Sequence, residues 1–325
     1  MSATGHVWSI LLAAGDGKRV QPHTGEVDGV PVPKQFYRPD GKESMLRWTI
    51  SRVADLVPVW HIVPVVASQH RRWWEDELAD IPAANVIVQP RNRGTGAGIL
   101  LPLLHVRRFD PMARVLILPT DHYVEDEGRL REAIVDAMDE AHRNQDRVVL
   151  VGTSPSENDT ECGWIVPRCN AAEGPASRVA AFVEKPGYET SCRLARGGAV
   201  VNTLIMVATA DAMLKLFERA VPGLVEDFVS WSEMRQGGID GLYRILPNVD
   251  FSRQVLETSC DLLSVVRATG CGWMDLGTPA RLSTFRRRRV NNMNEVVPGS
   301  VGRSQGPHPG FDPDLRISQH EGSAL

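Results

Sequence analysis

Two lone aspartates and two adjacent cations stand beside glycine-rich segments in this sequence. Asp121 follows the apolar run RVLILP, and Asp275 lies between glycines in GCGWMDLG. Lys18 and Arg19 follow the glycines of AAGDGKR, at the end of the first apolar run. Magnesium (Mg2+) takes one or two carboxylates and completes its octahedron with phosphate and water, and glycine-rich turns offer backbone N–H groups to phosphate. These residue types and their setting indicate a site for Mg2+ and a polyphosphate.

The loop that carries Arg19 matches neither of the standard phosphate-binding patterns. Gly15 and Gly17 allow a tight turn or the close approach of a ligand, but the G-x-x-x-x-G-K-[ST] pattern needs four residues between its glycines. The G-x-G-x-x-G pattern needs a third glycine where this chain has Val20. Taken alone, the loop is consistent with an anion site or with ordinary turn chemistry.

The other candidate residues also have an ordinary structural interpretation. An aspartate after a strand is often a turn or helix-cap residue, and His122 is either a general base or a hydrogen-bond partner of the backbone. The segment GTGAG resembles half of a dinucleotide-binding fingerprint, but it does not directly follow its strand. The four arginines at 286–289 are typical of a solvated face.

Alternating apolar strands and amphipathic helices separate these residues along the chain. In the first half, periodicity predicts strands at 7–12, 60–67, 85–89, 114–119 and 147–152, and helices at 45–56, 70–80, 98–109 and 129–142. Beyond Gly152 the pattern loosens into extended runs at 163–167, 178–184 and 199–208, with a helix at 211–220. This second half is interpreted as the sheet edge and a substrate lobe.

Repeated strand–helix units predict an α/β fold with an open, mainly parallel, twisted sheet flanked by helices. In such a sheet, ligands bind in the crevice outside the carboxyl ends of the strands. The glycine loop, QPRNRGTGAG and PTDH all follow predicted strands. We therefore expect these three segments to meet in one crevice, together with Asp275.

The composition is that of an ordinary globular chain. Its 325 residues have a formal net charge of -4, so we expect no general attraction to nucleic acid or to a membrane. The N-terminus lacks a basic leader and no apolar run is long enough to cross a bilayer, so we expect a cytoplasmic protein. An odd number of cysteines without a C-x-x-C pair predicts reduced thiols. The cysteines are Cys162, Cys169, Cys192, Cys260 and Cys271.

Six motifs occur here in the order found in sugar-1-phosphate nucleotidylyltransferases. They are LLAAGDGKRVQPHT with VPKQF, QPRNRGTGAGILLPL, PTDH, GWIVP, FVEKP and GWMDLGTP. The first resembles the family pattern L-A-G-G-x-G-x-R-L-x-P-L-T followed by P-K, and PKQF resembles the mannose-1-phosphate guanylyltransferase branch. Together the motifs cover about residues 7–282, which is most of the chain.

The resemblance implies a Rossmann-like nucleotidyltransferase fold and a reaction that needs Mg2+. A nucleotidyl group would pass from a nucleoside triphosphate to a hexose 1-phosphate. The implied triphosphate is GTP, and the implied sugar phosphate is mannose 1-phosphate. The implied catalytic residues are Arg19, Lys34 and Asp121, and the implied Mg2+ ligands are Asp121 and Asp275. The implied nucleotide-binding residues are Ala13, Ala14, Gly15, Gly17, Gln89, Pro90 and Gly94. The sugar phosphate would bind to Gly163, Glu184, Lys185 and Asn202.

The resemblance also implies a domain organisation. Residues 1–285 would form the catalytic domain, in which 1–152 bind the nucleotide and 153–285 bind the sugar. Residues 286–325 would form a tail that is basic at first and then loose. Few residues follow the last motif, so we expect a core-only form without the family's optional C-terminal β-helix or isomerase domain. Whether the protein forms a homo-oligomer is left open.

The chain departs from the family pattern at the expected sugar pocket. Where the guanylyltransferases show W-N-S-G-M-F, this sequence has VNTLIM, with Val201 in place of the tryptophan and Leu204 in place of the glycine. The family segment I-D-Y-A-V-M-E corresponds to DFSRQVLE, in which either Asp250 or Ser252 takes the place of the aspartate. The identity of the sugar therefore stays open. The identity of the base is open as well.

Two other classes of protein stand as alternatives. A glycosyltransferase of similar architecture typically carries D-x-D at the strand end, which PTDHYV lacks. A non-catalytic nucleotide-sugar-binding protein would have lost an aspartate or a key cation. This chain has all of them: Arg19, Lys34, Asp121, Lys185 and Asp275.

Overall fold

The computed structural model describes residues 6–155, 159–168, 175–234 and 238–295. The chain divides into two compact units, Met1–Arg286 and Arg287–Leu325. The sheet and the candidate site belong to the first unit. The described part of the second unit is helical up to Glu295, and the loose tail predicted after it lies outside the described residues, as does Cys169.

The described elements alternate between strands and helices through most of the chain. The strands are β1 (Val7–Ala13), β2 (Glu26–Val27), β3 (Val30–Pro31), β4 (Ile62–Ala67), β5 (Ile87–Gln89), β6 (Arg114–Pro119), β7 (His122–Tyr123), β8 (Val148–Thr153), β9 (Gly163–Pro167), β10 (Ala176–Glu184), β11 (Val200–Thr209), β12 (Leu263–Ala268) and β13 (Met274–Asp275). The α-helices are α1 (Met45–Val53), α2 (Arg71–Trp74), α3 (Gly94–Phe109), α4 (Glu127–Arg143), α5 (Tyr188–Arg196), α6 (Ala210–Ala220), α7 (Pro222–Met234), α8 (Ile239–Ile245) and α9 (Pro279–Glu295). A π-helical turn at Ser252–Leu256 and short 3₁₀ turns, one of them at Lys34–Phe36, connect these elements.

A nine-stranded sheet in the order β5-β4-β1-β6-β11-β8-β12-β10-β9 forms the centre of the fold. The strands from β5 to β6 are parallel, as are β8 and β12, whereas β11 and β10 run against their neighbours. All of the sheet's strands except β10 and β11 thus point in one direction, and the predicted α/β fold with a mainly parallel sheet is confirmed. Strand β9 also pairs with β11 at Val200 and Val201, so the second half of the sheet curls back on itself.

Apolar side chains cover both faces of the central strands. Strand β1 is buried along its length except for the half-buried Leu12, as expected of a parallel strand with helices on both sides. Successive side chains point to opposite faces, so Ile10 packs in the core with α3, and Leu11 packs in the core with α1 and α4. The sheet is therefore a rigid support for the loops at its strand ends.

Helix α3 begins four residues before the helix that its apolar periodicity predicts, which starts at residue 98. The N–H of Gly94 donates to Oδ1 of Asn92 at 2.8 Å, and the N–H of Gly96 donates to the Val249 carbonyl at 2.9 Å. A Cβ on Gly96 would lie only 2.6 Å from Cγ1 of Val249. The GTGAG segment is therefore a helix start whose glycines allow the chain near Val249 to pack closely.

The polar helix predicted at 70–80 is α-helical only in α2, which covers Arg71–Trp74. The indole N–H of Trp74 donates to the Ala67 carbonyl at 2.9 Å and ties this segment to the end of β4. Hydrogen-bonded turns then carry the chain to the buried Leu78 and Ile81. The predicted helix is therefore a single α-helical turn followed by hydrogen-bonded turns.

Composition predicts reduced cysteines and no membrane span, and both predictions concern residues that the structure describes. The cysteines that the structure describes are free thiols, in agreement with the odd cysteine count: Cys162, Cys192, Cys260 and Cys271. Within the described ranges, no helix combines the length and the apolar character that a bilayer span requires.

Candidate active site

A cleft opens at the carboxyl ends of β1 and β6, beside the N-terminus of α3. The space between its walls is about 740 Å³, which includes open solvent at its mouth. Among the predicted site residues, its lining includes Ala14, Gly15, Gly17, Gln89, Gly94 and Asp121. Gln35, Thr120 and Leu204 also line it. The glycine loop, the start of α3 and the end of β6 thus meet in one crevice, as the sequence predicts.

Lys34 lies between the two aspartates that the sequence analysis assigns to Mg2+. Its Nζ atom is 2.9 Å from Oδ2 of Asp121 and 2.7 Å from Oδ1 of Asp275. The lysine side chain is 5% exposed, and the side chains of Asp275 and Asp121 are 16% and 36% exposed. Three residues that are far apart in sequence therefore form one cluster, in which two carboxylates share a single ammonium group.

A small antiparallel ribbon brings the two aspartates together. Strand β7 pairs with β13 so that His122 lies opposite Asp275. Just beyond the ribbon, the Cys271 carbonyl accepts hydrogen bonds from two N–H groups, those of residues 125 and 126. A Cβ on Gly277 would lie 2.6 Å from Oδ2 of Asp275, so a glycine at 277 leaves room for the carboxylate.

The electrostatics of the cluster favour its charged form. Burial by itself would lower the pKa of Lys34, but the charges of Asp121 and Asp275 outweigh it and raise that pKa above its ordinary value. Burial opposes the charge of Asp275 as well, yet the neighbouring Lys34 ammonium brings the pKa of Asp275 well below its usual range. Lys34 and Asp275 therefore remain charged at neutral pH.

His122 lies near the same two carboxylates. Its Nε2 atom is 3.5 Å from Oδ1 of Asp121 and 3.9 Å from Oδ1 of Asp275. The indole N–H of Trp273 donates to Nδ1 at 3.2 Å, so a neutral ring carries its proton on Nε2, toward the carboxylates. Burial lowers the pKa of His122 and favours this neutral form. His122 therefore lies beside the cluster as a neutral ring held by Trp273.

Arg281 is a part of the site that the sequence analysis missed. Its Nη1 donates to Oδ2 of Asp275 at 3.0 Å, and its Nη2 forms a close ion pair with the buried Asp159. Nη1 also lies 3.6 Å from Sγ of Cys162. Arg281 therefore holds the carboxylate of Asp275 by a hydrogen bond and connects it to Asp159, in the segment that precedes β9.

Gln35 is a second residue that the sequence analysis missed, although it belongs to the PKQF motif. Its side-chain amide donates to the carbonyls of Ala13 at 2.8 Å and Gly15 at 3.0 Å. The residue is buried, so these bonds are shielded from water. Gln35 thus bridges two carbonyls of the glycine loop after β1. The carbonyl of Ala13 therefore already accepts a hydrogen bond from within the protein. The amide next to Lys34 in the sequence was the signal for this role.

Gly17→Ala is expected to destabilise the fold by about 1 to 2 kcal/mol and to reduce any activity that depends on Lys34. Gly17 has a φ of +59°, and a Cβ there would lie 3.1 Å from Cβ of Lys34. Gly15→Ala is the matched control, because a Cβ on Gly15 would meet no atom of the described residues within 4 Å. Denaturant unfolding of the two variants provides the comparison. An equal loss of stability in both would contradict the close packing of Gly17 against Lys34.

Arg19 lies apart from the Lys34 cluster. Its Nη1 is 2.6 Å from Oε2 of Glu161, in the segment before β9, and the two side chains are 62% and 43% exposed. Lys18 reaches Asp16 of its own loop at 3.6 Å. The glycine loop therefore directs Arg19 across to the second half of the chain instead of toward the two aspartates.

The residues predicted to meet the base lie where β5 ends and α3 begins, and they contact residues from the second half of the chain. The side-chain amide of the buried Gln89 donates to the hydroxyl of Tyr243 at 3.0 Å. The carbonyl of Pro90 accepts a hydrogen bond from Ser68 at 3.2 Å. Gln89 and Gly94 line the cleft, whereas Pro90 supports the loop that joins them.

The residues predicted to bind the sugar phosphate form a second group around Glu184. The carboxylate of Glu184 is 3.2 Å from Nζ of Lys185, and a Cβ on Gly163 would lie 2.6 Å from the same carboxylate. Burial raises the pKa of Glu184. Asn202 lies in β11, where its Oδ1 accepts the N–H of Leu204 at 3.1 Å. Across the described residues, no hydrogen bond or ion pair links Glu184, Lys185 or Asn202 to Lys34.

Comparisons with known proteins agree with this architecture. A nucleotidyl transferase family model matches residues 8–288. A mannose-1-phosphate guanylyltransferase from Escherichia coli is 27% identical over 281 residues, which cover 83% of this chain and 58% of the relative. The mannose-1-phosphate guanylyltransferase RfbM of Salmonella typhimurium is 32% identical over 313 residues, covering 90% of this chain and 61% of the relative. The chain thus spans about three fifths of the length of these curated relatives.

A solved structure shares the fold over most of its length. It is a protein from Thermus thermophilus named mannose-1-phosphate geranyltransferase, with a TM-score of 0.73 and 27% identity. The match covers 84% of this chain and 76% of that protein. The Rossmann-like fold and the family resemblance predicted from the six motifs are therefore confirmed. Because the family model and these relatives match nearly the whole of the described chain, the chain belongs to the nucleotidyl transferase family.

Proposed function

We propose that this chain transfers a nucleotidyl group from a nucleoside triphosphate to a hexose 1-phosphate and releases pyrophosphate. GTP and mannose 1-phosphate are the proposed substrates, because relatives named mannose-1-phosphate guanylyltransferase match 83% and 90% of the chain. The observation that carries the proposal is the buried Lys34 ammonium between Asp121 and Asp275, at the edge of a cleft lined by glycine-rich backbone. Such a cluster suits a highly charged phosphate substrate.

In the proposed reaction, an oxygen of the sugar phosphate attacks the α-phosphorus of the triphosphate in line. The bond from the α-phosphorus to the bridging oxygen breaks, and pyrophosphate leaves with the electron pair. The step requires positioning and charge neutralisation, and it needs no nucleophile from the protein. A site composed of cations, carboxylates and backbone N–H groups supports this reaction class.

Lys34 and Arg19 are the cations that we assign to the triphosphate. Lys34 is protonated because its pKa is raised, and it would neutralise charge that develops on the phosphoryl oxygens. Arg19 is held by Glu161 in an exposed ion pair, a type of contact that contributes little stability in water. A triphosphate can therefore draw Arg19 away from Glu161 at small cost. Gln89 and the main chain at Gly94 would face the base.

Asp121 and Asp275 are the residues that we propose to hold Mg2+. Their carboxylate oxygens lie 2.9 and 2.7 Å from one cationic nitrogen, Nζ of Lys34, so the pair is able to share a cation. Within the part of the chain that the structure describes, no group of three or more His, Cys, Asp or Glu side chains forms a metal site. Two carboxylates suffice for Mg2+ when phosphate and water complete its shell, and the ion would then neutralise and orient the triphosphate.

Glu184 and Lys185 are the residues that we assign to the sugar phosphate. The Lys185 side chain is 44% exposed, and its ammonium pairs with the neighbouring Glu184 carboxylate, so it is accessible to a phosphate. Gly163 leaves space beside the same carboxylate. This arrangement supports a site in which Lys185 meets the phosphate and Glu184 meets sugar hydroxyls, with Asn202 on the adjoining strand β11.

The test of the proposed function is a matrix of substrates. Each of four nucleoside triphosphates is paired with several hexose 1-phosphates in the presence of Mg2+, and pyrophosphate release is measured. We expect the fastest release with GTP and mannose 1-phosphate. Release with another pair would change the substrate assignment. Tight binding of a nucleotide-sugar without any turnover would favour a non-catalytic binding protein, and sugar transfer from a nucleotide-sugar would favour a glycosyltransferase.

A further inference from the structure

Strand β11 contains a bulge at the edge of the cleft, and Leu204 occupies it. The pairing register shifts between Asn202, which lies opposite Gly152, and Ile205, which lies opposite Val151. Leu204 has a φ of +59°, a left-handed conformation that a bulky side chain adopts only at an energetic cost. Bulges next to active sites commonly redirect a side chain. The strained backbone at Leu204 therefore indicates that the direction of its side chain matters for the site.

Side-chain hydrogen bonds hold this bulge in place. The N–H of Leu204 donates to Oδ1 of Asn202 at 3.1 Å. The hydroxyl of Thr203 donates to the Val151 carbonyl at 2.6 Å, and the N–H of Ile205 donates to that hydroxyl at 3.2 Å. A glycine would adopt the same conformation without strain. The leucine side chain is thus the feature that distinguishes this bulge from an unstrained one.

The bulge places the half-buried Leu204 side chain in the lining of the cleft. In the sheet, β5, which ends at Gln89, lies on one side of β6, and β11 lies on the other side. Gln89 and Leu204 therefore flank the cleft from opposite sides, and Asp121 follows β6 between them. If the base lies toward Gln89, Leu204 borders the side from which the sugar phosphate enters.

We infer that Leu204 is a specificity-determining residue that narrows the acceptor side of the cleft. Its side chain takes up space in the cleft, and its N–H is bonded to Asn202, so a hexose 1-phosphate with a bulky ring substituent, such as an acetamido group, is excluded. A hexose that carries only hydroxyl groups is accepted. This inference rests on the proposed nucleotidyl transfer and adds the class of acceptor that the site takes.

The experiment compares the wild type with Leu204→Gly, Leu204→Ala and the control Leu104→Ala. Leu104 is also half-buried and packs against the same core cluster, but it lies on α3 and lines a different groove. With GTP and Mg2+ in excess, kcat/KM is measured for mannose 1-phosphate and for N-acetylglucosamine 1-phosphate by pyrophosphate release. One extra or missing methylene in an apolar pocket changes selectivity by about 10- to 200-fold.

We expect the ratio of kcat/KM for the acetamido sugar to that for mannose 1-phosphate to rise at least about tenfold in Leu204→Gly. The rise should be smaller in Leu204→Ala and absent in Leu104→Ala, and the KM for GTP should not change. Leu204→Gly should also unfold at a temperature no lower than Leu204→Ala, because glycine relieves the strained φ.

Three results would contradict this account in different ways. An unchanged ratio in both Leu204 variants, with turnover intact, would overturn the specificity role alone. A lower unfolding temperature for Leu204→Gly than for Leu204→Ala would overturn the strained bulge on which the role depends. No pyrophosphate release by the wild type with any pair would overturn the proposed function itself, and the inference with it.

Discussion

Asp275→Asn is expected to lower turnover by about two to three orders of magnitude while the chain stays folded. The substitution preserves the size of the side chain but removes the charge that faces Lys34 at 2.7 Å and that we assign to Mg2+. Asp121→Asn should reduce turnover to a similar extent for the same reason. Pyrophosphate release is measured as a function of Mg2+ concentration, with circular dichroism as the check on folding. Full activity of both variants at saturating Mg2+ would refute the assignment of the two aspartates.

The same substitution should have a pH-dependent effect on stability. The pKa of Asp275 is lower in the folded state than in the unfolded chain, so its charge stabilises the fold at neutral pH. This contribution is complete above the ordinary aspartate pKa of about 4, and it is lost as the pH falls toward the lower folded-state pKa. The difference in unfolding free energy between wild type and Asp275→Asn should therefore shrink below about pH 4. A difference that is constant from neutral to acid pH would contradict the ion pair.

Lys34→Met is expected to abolish most turnover and also to destabilise the fold. The side chain is 5% exposed, and its removal leaves two carboxylates without their shared cation. Loss of one partner from a buried ion pair costs about 3 to 5 kcal/mol, and Arg281, which still contacts Asp275, places the expected value near the lower end. Denaturant unfolding and steady-state kinetics with excess Mg2+ separate the two effects. Wild-type turnover in a folded Lys34→Met variant would remove Lys34 from the mechanism.

Lys185→Met is the matched control, because it makes the same substitution in the other half of the chain. The Lys185 side chain is 44% exposed and pairs with the adjacent Glu184, whose side chain is 7% exposed, so stability should fall less than in Lys34→Met, where two carboxylates lose their cation. The KM for the sugar phosphate should rise by about tenfold to a hundredfold, the effect of losing one charge-assisted contact, while the KM for the triphosphate stays constant. Equal weakening of both substrates would show that the sugar phosphate does not bind at Lys185.

Much of the fold could be predicted because apolar runs determine the central strands. The run RVLILP coincides with β6, and GWIVP coincides with β9, since both are buried runs of the length typical of strands. Asp121 could be placed at the cleft because it follows a parallel strand, and ligands bind at that end of the sheet. These inferences depend only on local pattern and on a general rule of α/β folds.

The contacts at the centre of the candidate site could not be predicted from local pattern, although both aspartates were expected at the crevice. Asp275 reaches Asp121 only because β13 pairs with β7, a contact between segments about 150 residues apart. Arg281 has no sequence signal that separates it from the arginines that follow it at 286–289. The left-handed φ of Leu204 was not predicted either, because leucine rarely adopts it; the glycine of the family pattern at this position was the available signal. These features depend on contacts between segments that are far apart in the chain. No short motif or regular spacing in a single sequence indicates such contacts.

The most direct test of the proposed reaction is a phosphorus NMR time course of GTP, mannose 1-phosphate and Mg2+ with the wild-type protein. Nucleotidyl transfer consumes one triphosphate and one sugar phosphate and produces one pyrophosphate and one nucleotide-sugar. We predict that pyrophosphate and the nucleotide-sugar appear in equal amounts and that no orthophosphate accumulates. Formation of orthophosphate and nucleoside diphosphate without a nucleotide-sugar would contradict the account, because the Lys34 cluster would then serve hydrolysis and not transfer.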